Sequence, residues 1–204
     1  MIDKILHDFL IIWATIDPIG TVALFAGLTA TLTPQARRKT AFKTIFYAAL
    51  ILVGSILLGQ LLLGAMGISL LSFQVSGGII LFLFGLMMIF SKDSPQTGAE
   101  PQHDISVFPL AIPATASPGA ILAVILITDN HVYTFEQQLI TTLNMLAILG
   151  ITLVLLLFSG AIIRVIGIGG ASLLTRLMGM ILAALSVEFI MEALGIEKWV
   201  STVS

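Results

Sequence analysis

The chain has 204 residues, of which 58% are hydrophobic and 10% charged, with a mean hydropathy of +1.11. Its net charge of −2 does not indicate a nucleic-acid partner, and the lack of cysteine excludes disulfides, thiolate catalysis and cysteine metal sites. Positions 44–91 contain no Asp, Glu, Lys or Arg, and a soluble domain of this size could not bury such a run. The composition predicts an all-α integral membrane protein.

Six membrane-spanning helices are predicted from continuous apolar runs, because about 20 apolar residues cross a bilayer. The Pro-, Gly- and charge-containing stretch 91–104 is predicted to be a solvated loop between the third and fourth. The N-terminus lacks the pattern of a cleavable signal peptide, so the first run is interpreted as a retained span. We expect one membrane domain, 1–204, with a first repeat 1–92, a connecting loop 93–105 and a second repeat 106–204. The predicted spans are approximately 8–32, 42–64, 68–90, 106–128, 137–160 and 171–194.

The basic residues are distributed unequally between the two predicted sides of the membrane. Only Lys4 and Lys198 lie on the side of the termini. Since basic residues are enriched in cytoplasmic loops, both termini are predicted to lie outside the cytoplasm. The basic residues of the other side are Arg37, Arg38, Lys39, Lys43, Lys92, Arg164 and Arg176.

The first and fourth predicted spans are both interrupted by a proline next to a helix-capping residue. Asp17-Pro18 and Ser117-Pro118 are 100 positions apart, and Gly78 and Gly179 of the third and sixth spans are 101 apart. These offsets predict that a three-span unit occurs twice and, because three is odd, that the second copy is inverted in the membrane. Inverted repeats with interrupted helices in matching positions are typical of secondary transporters.

Each interruption is predicted to begin a new half-helix near the membrane midplane. Asp and Ser are good N-caps, and proline is favoured at the first helical position. Gly20 and Gly119 are expected to allow another stretch of backbone to approach closely. Two helix N-termini facing each other suit a carboxylate. The backbone carbonyls of the unwound residues before each helix start suit an ammonium group. This pairing fits a small zwitterion, with Asp17 either a substrate or proton site or simply the cap of the kink.

The chain resembles the MarC family of integral membrane proteins, which includes the SnatA-type small neutral amino acid transporters. The resemblance covers nearly the whole sequence. It is carried by four stretches: Asp17-Pro-Ile-Gly20, Ser76-Gly-Gly-Ile-Ile-Leu-Phe-Leu83, Phe108-Pro-Leu-Ala-Ile-Pro113 with Ser117-Pro-Gly-Ala120, and Arg176-Leu-Met-Gly-Met-Ile181.

The resemblance implies six spans in two inverted repeats and transport of small neutral amino acids such as glycine and alanine, coupled to a proton or sodium gradient. The family commonly has Gly-Pro-Gly where this chain has Ser117-Pro-Gly, so the serine is expected to alter the preferred substrate size. The expected partners are the bilayer of a prokaryotic inner membrane, the zwitterion and the coupling ion. The candidate substrate-binding residues are Thr15, Asp17, Pro18, Gly20, Thr21, Thr115, Ser117, Pro118 and Gly119.

Other polar residues in the spans allow two interpretations each. Gln74 and Asn144 are expected either to join helices or to line a pocket. Glu188 is expected either at the membrane interface or, with Asp17, in gating or ion coupling. The glycine-rich faces fit internal packing and contacts in a homo-oligomer equally well.

No cofactor, metal site or enzymatic activity is expected, because the histidines have no ligand spacing and no hydrolase or zinc motif is present. The alternatives to an amino acid transporter are an exporter of another small solute and a non-transporting membrane regulator or scaffold.

Overall fold

The computed structural model describes residues 2–90 and 104–196, which form helices and turns with no β-strand. The connecting loop 93–105, except its last two residues, and the basic residues Lys92 and Lys198 lie outside the described residues. The helices are α1 (Ile2–Ile16), α2 (Pro18–Leu28), α3 (Pro34–Ala65), α4 (Leu70–Phe90), a π-helix (Ser106–Thr115), α5 (Pro118–Leu126) and α6 (Phe135–Ala193).

Within the described residues, five helical stretches are long and apolar enough to cross a membrane, and the π-helix with α5 makes a sixth if this bent pair is counted as one span. The five stretches are Asp3–Leu28, Pro34–Ala65, Leu70–Phe90, Phe135–Gly167 and Ser172–Ala193. The prediction of an all-helical multi-span protein is confirmed.

Two predicted helix starts are displaced because charged residues are included in the helices. Thr33 caps α3 by accepting a hydrogen bond from the Ala36 N–H, and Pro34 occupies the first turn. The basic cluster therefore lies on the first turns of α3 rather than in the preceding loop. In α1, the Lys4 ammonium lies 2.8 Å from the Asp8 carboxylate, which allows both charges to remain on a helix.

Helix α6 consists of two limbs, Phe135–Gly167 and Ser172–Ala193. The predicted loop between the fifth and sixth spans is mostly helical, and the helical conformation is interrupted at Gly167 (φ 73°, ψ 167°). A positive φ of this kind strongly favours glycine, so this residue permits the change of direction between the limbs.

Helix α5 lies in the interior of the bundle, since Ala120, Leu122, Ala123 and Val124 are all buried. It packs against α1, α3 and α4. Large apolar side chains on the surrounding helices are exposed, among them Leu57 at 70%. In a membrane protein such a surface faces the lipid tails.

Helix α4 and the second limb of α6 cross where glycines allow close approach. A Cβ on Gly85 would lie 2.8 Å from the Gly179 carbonyl oxygen, and a Cβ on Gly179 would lie 2.8 Å from that of Gly85. Gln74 on α4 donates a hydrogen bond to the Glu192 carboxylate at 2.9 Å. Small residues at such crossings let the two backbones meet. The hydrogen bond to Glu192 on the facing helix supports the packing interpretation of Gln74.

Candidate functional site

The first interruption lies at Asp17, between the end of α1 and the start of α2. Asp17 adopts a left-handed conformation (φ 47°, ψ 70°), and its Oδ1 accepts a hydrogen bond from the Gly20 N–H at 3.0 Å. Pro18 follows as the first residue of α2. The predicted N-cap is confirmed, and Asp tolerates the left-handed conformation better than most residues do.

The second interruption lies at Ser117, between the π-helix and α5, which meet at 52°. The backbone of Ser117 is extended (φ −68°, ψ 157°), and its Oγ accepts a hydrogen bond from the Ala120 N–H at 2.9 Å. This predicted N-cap is also confirmed. In both interruptions the capping side chain binds the N–H three residues later, so the two helix starts share the capping hydrogen bond, although the backbone is left-handed at Asp17 and extended at Ser117.

The glycines near the caps make room for side chains, because the atoms nearest to a Cβ added at either glycine belong to side chains. A Cβ on Gly20 would collide with the Asp17 carboxylate, and one on Gly119 would collide with the Leu81 side chain. Gly20 therefore makes room for the cap itself. The smaller Ser117 tolerates a Cβ at the equivalent position, where the chain has Ala120.

The two interruptions are in direct contact. The Ser117 hydroxyl donates a hydrogen bond to the Thr15 carbonyl at 2.7 Å, and the Thr21 hydroxyl lies 3.4 Å from the Ala114 carbonyl. Helix α1 packs against α5, and α2 packs against the π-helix. The first part of each interrupted helix therefore contacts the second part of the other, as in an antiparallel crossing.

All candidate substrate-binding residues lie at or directly beside the two interruptions. Glu188 differs from these residues in its burial, because its side chain is exposed on the second limb of α6. Asn144, by contrast, joins helices through a hydrogen bond to the Ile5 carbonyl at 2.9 Å. The candidates that are buried are Thr15, Asp17, Pro18, Thr21, Thr115, Ser117 and Gly119, and those that are half-buried are Gly20 and Pro118.

Part of the sequence repeat at the two interruptions was not predicted from the sequence. Ala14-Thr15 precedes the first proline at the same spacing as Ala114-Thr115 precedes the second. The two threonines also behave alike, since Thr15 donates to the Ile11 carbonyl at 2.8 Å and Thr115 to the Leu110 carbonyl at 2.9 Å. Both threonines were already candidate residues, and extending the 100-residue offset to the neighbouring positions would have shown that they correspond.

Asp17 differs from the other acid buried in the first span by its lack of a cation. Asp8, only 1% exposed, has Lys4 as its partner and also accepts a hydrogen bond from the Thr141 hydroxyl. Asp17 is 5% exposed, and no described cation lies within ion-pair distance of it. A buried carboxylate needs compensation, and here the protein supplies one backbone N–H from Gly20.

Outside the spans, Asp104 forms an ion pair with Lys43 across the start of the π-helix. The two charged atoms are 2.6 Å apart. The hydrogen bond from Lys43, followed by that from the Ser106 hydroxyl, lowers the pKa of Asp104 to about 2. No group of three or more His, Asp or Glu side chains is placed to hold a metal ion within residues 2–90 and 104–196.

The long apolar helices, the lipid-compatible surface and the buried polar centre define a polytopic α-helical membrane protein. The chain belongs to the MarC family of integral membrane proteins, whose family model matches residues 2–199. The inner membrane protein MarC of Salmonella arizonae is 31% identical over 190 residues, covering 85% of this chain and 86% of the relative. A membrane protein of Buchnera aphidicola is 30% identical over 185 residues, covering 89% and 87%.

No solved structure matches the chain. The names of the relatives, together with the apolar helices, support a multi-pass protein of the inner membrane.

Proposed function

We propose that this protein is a secondary transporter of small neutral amino acids, coupled to a proton or sodium gradient, with the substrate held between the two interrupted helices. The observation that carries the proposal is the direct contact between the two interruptions. One of them holds Asp17, a buried acid with no described cation within ion-pair distance. The proposal assigns no catalytic reaction, and it includes an orientation with both termini outside the cytoplasm.

An inverted repeat is part of this proposal, and a pair of matching hydrogen bonds supports it. Thr44 on α3 donates to the Ser106 carbonyl at 3.2 Å, and Asn144 on α6 donates to the Ile5 carbonyl at 2.9 Å. Thr44 and Asn144 are 100 positions apart, and Ile5 and Ser106 are 101 apart. A two-fold axis in the membrane plane would exchange these two bonds.

The crossing of the third and sixth spans supports the same relation. Shifting Gly78 by 101 positions gives Gly179, and shifting Gly85 by 101 gives Ser186. Gly85 meets Gly179 at the crossing, and a Cβ on Gly78 would lie 3.1 Å from the Ser186 carbonyl oxygen. Each of these close contacts is therefore the counterpart of the other under the proposed symmetry.

The chemistry of the interruptions suggests how each end of a zwitterion would be bound. Because Asp17 already occupies the Gly20 N–H at the start of α2, its second oxygen suits the ammonium group. The start of α5 has no acid, and its Ser117 hydroxyl and Gly119 N–H suit the carboxylate. The bond from Ser117 to Thr15 would open as the substrate enters.

The same geometry accounts for coupling to a proton or sodium ion. An ionised Asp17 without a cation is costly inside a membrane, on the order of 2.5–3.5 kcal/mol on insertion scales. A proton, a sodium ion or the substrate ammonium would each compensate the charge. Exchange between these partners would link substrate movement to the ion gradient.

The test is uptake by proteoliposomes of the full-length wild type and of Asp17→Asn. Asparagine retains the N-cap and the left-handed conformation, so the substitution removes the charge and keeps the helix start. Labelled glycine, alanine, serine and leucine would be offered with and without a pH or sodium gradient. We expect saturable uptake of the three small substrates by the wild type, driven by one gradient, with leucine excluded.

The matched control is Asp129→Asn, because Asp129 is equally buried but lies in the turn after α5, where it accepts a hydrogen bond from the His131 N–H at 2.9 Å. We expect Asp129→Asn to retain gradient-driven uptake and Asp17→Asn to lose it. If folded wild-type protein moves none of the four amino acids, the substrate assignment fails. If Asp17→Asn keeps its gradient dependence, Asp17 is a cap and not the coupling site.

A further inference from the structure

A cleft lies between the start of α3 and the end of the first limb of α6, away from the two interruptions. Its volume is about 270 Å³. The lining combines two arginines with apolar side chains. The lining residues are Leu32, Pro34, Arg37, Arg38, Leu156, Leu157, Phe158, Gly160 and Ala161.

Arg37 is held in this cleft by several contacts. Its Nη2 donates a hydrogen bond to the Ser159 hydroxyl at 2.7 Å, and its guanidinium lies 5.7 Å from the centre of the Phe25 ring. Gly160 gives it room, because a Cβ there would lie 3.0 Å from Nη1. The guanidinium is therefore fixed in position, at little further entropic cost for binding a ligand.

The charge of Arg37 has no acidic partner in the part of the chain that the structure describes, where Lys4 and Lys43 each have one. Its Nε is buried and makes no hydrogen bond to the described residues. Buried donors of this kind are normally satisfied. A planar guanidinium that lines a cleft beside a second arginine, with no acidic partner among the described residues, matches an oxyanion such as a phosphate.

The apolar wall of the cleft indicates where that phosphate would come from. Leu156 is buried, Leu157 is half-buried, and Phe158 is 62% exposed and continuous with the lipid-facing surface. We propose that this cleft binds the phosphate of an anionic phospholipid through Arg37, with Arg38 at the rim and the lipid chains against Phe158. Basic pockets between membrane helices bind acidic headgroups in this way.

The site does not depend on the proposed transport activity. Because the lining comes from both α3 and the first limb of α6, a bound lipid would contact the two helices at once. With the proposed orientation, the cleft opens to the cytoplasmic leaflet.

The test is thermal unfolding of the detergent-solubilised full-length protein during titration with dioctanoyl phosphatidylglycerol, dioctanoyl phosphatidylcholine or inorganic phosphate. A ligand that binds the folded state raises Tm with concentration, which yields an apparent Kd. We expect phosphatidylglycerol to stabilise the wild type and phosphatidylcholine to have little effect. Arg37→Gln should weaken phosphatidylglycerol binding roughly tenfold or more, as loss of a charge-assisted hydrogen bond does.

The matched control is Lys39→Gln, which removes one positive charge two positions away and outside the lining of the cleft. It should bind phosphatidylglycerol like the wild type. Arg37→Lys keeps the charge if Arg37→Gln does not fold, and it should bind more weakly than the wild type while still preferring phosphatidylglycerol. Equal affinity of Arg37→Gln and Lys39→Gln, or equal effects of the two lipids, overturns the proposal. An equal shift with inorganic phosphate alone would also overturn it, in favour of a soluble anion.

Discussion

The hydroxyl of Ser117 donates a hydrogen bond to the carbonyl of Thr15 at 2.7 Å, across 102 positions of sequence. The same oxygen accepts from the Ala120 N–H, so one side chain both starts α5 and holds it against the end of α1. Any movement that separates the two interrupted helices must break this bond, while the cap can remain.

Replacing Ser117 should therefore have two separable effects. Ser117→Ala removes the cap and the bond to Thr15, and we expect a loss of about 1–2 kcal/mol of stability. Ser117→Gly retains more of the capping preference and enlarges the space between the helix starts. In the proteoliposome assay its uptake of serine relative to glycine should rise; an unchanged ratio would contradict a place for this side chain in the substrate pocket.

The cap at Asp17 and the glycine at position 20 should be coupled. Gly20→Ala in the wild type forces a Cβ onto the Asp17 carboxylate and should lower Tm markedly. In an Asp17→Ser background the same change should be tolerated, because the second interruption already combines Ser117 with Ala120. A double-mutant cycle on Tm measures the coupling, and additive effects of the two substitutions would refute the steric explanation.

The ion pair between the partly exposed Lys4 and the buried Asp8 should be a strong determinant of stability. Lys4→Met leaves the Asp8 carboxylate with the Thr141 hydroxyl but without its cation, and such a loss costs on the order of 3–5 kcal/mol. Adding Asp8→Asn should recover part of the loss, because no buried charge remains. Thermal unfolding of the single and double variants measures their relative stabilities. A double variant less stable than Lys4→Met would disprove the prediction.

The ion pair of Asp104 with Lys43 should contribute to stability only above acidic pH. Because the folded-state pKa of Asp104 is about 2, below its ordinary value of 3.8, its contribution is present above about pH 4 and is lost as the pH falls towards 2. The effect is small because the pair is solvent-exposed. The difference in Tm between wild type and Asp104→Asn should shrink over this range, and Lys43→Gln should reduce the same difference; a constant difference would contradict the assignment.

The membrane class and the two helix caps follow from local properties of the chain. Hydropathy over 20 residues is enough to find a span, since the bilayer imposes the length. An Asp-Pro or Ser-Pro pair inside an apolar run is enough to predict a helix start, since capping involves only the next three residues. The predicted starts of two helices were less accurate. Lys4 and Asp8 neutralise each other within α1, and Thr33 caps α3 ahead of its basic cluster, so both helices begin earlier than hydropathy predicts.

Only the tertiary structure decided which polar groups meet. The bond from Ser117 to Thr15, the similar bonds made by Thr44 and Asn144, and the hydrogen bond from Arg37 to Ser159 all join residues far apart in sequence. The purpose of Gly20 depended on the side-chain direction of Asp17, which its left-handed backbone sets. In an apolar bundle nearly every side chain can pack, so hydropathy does not specify helix neighbours; the few polar contacts and the glycine crossings do.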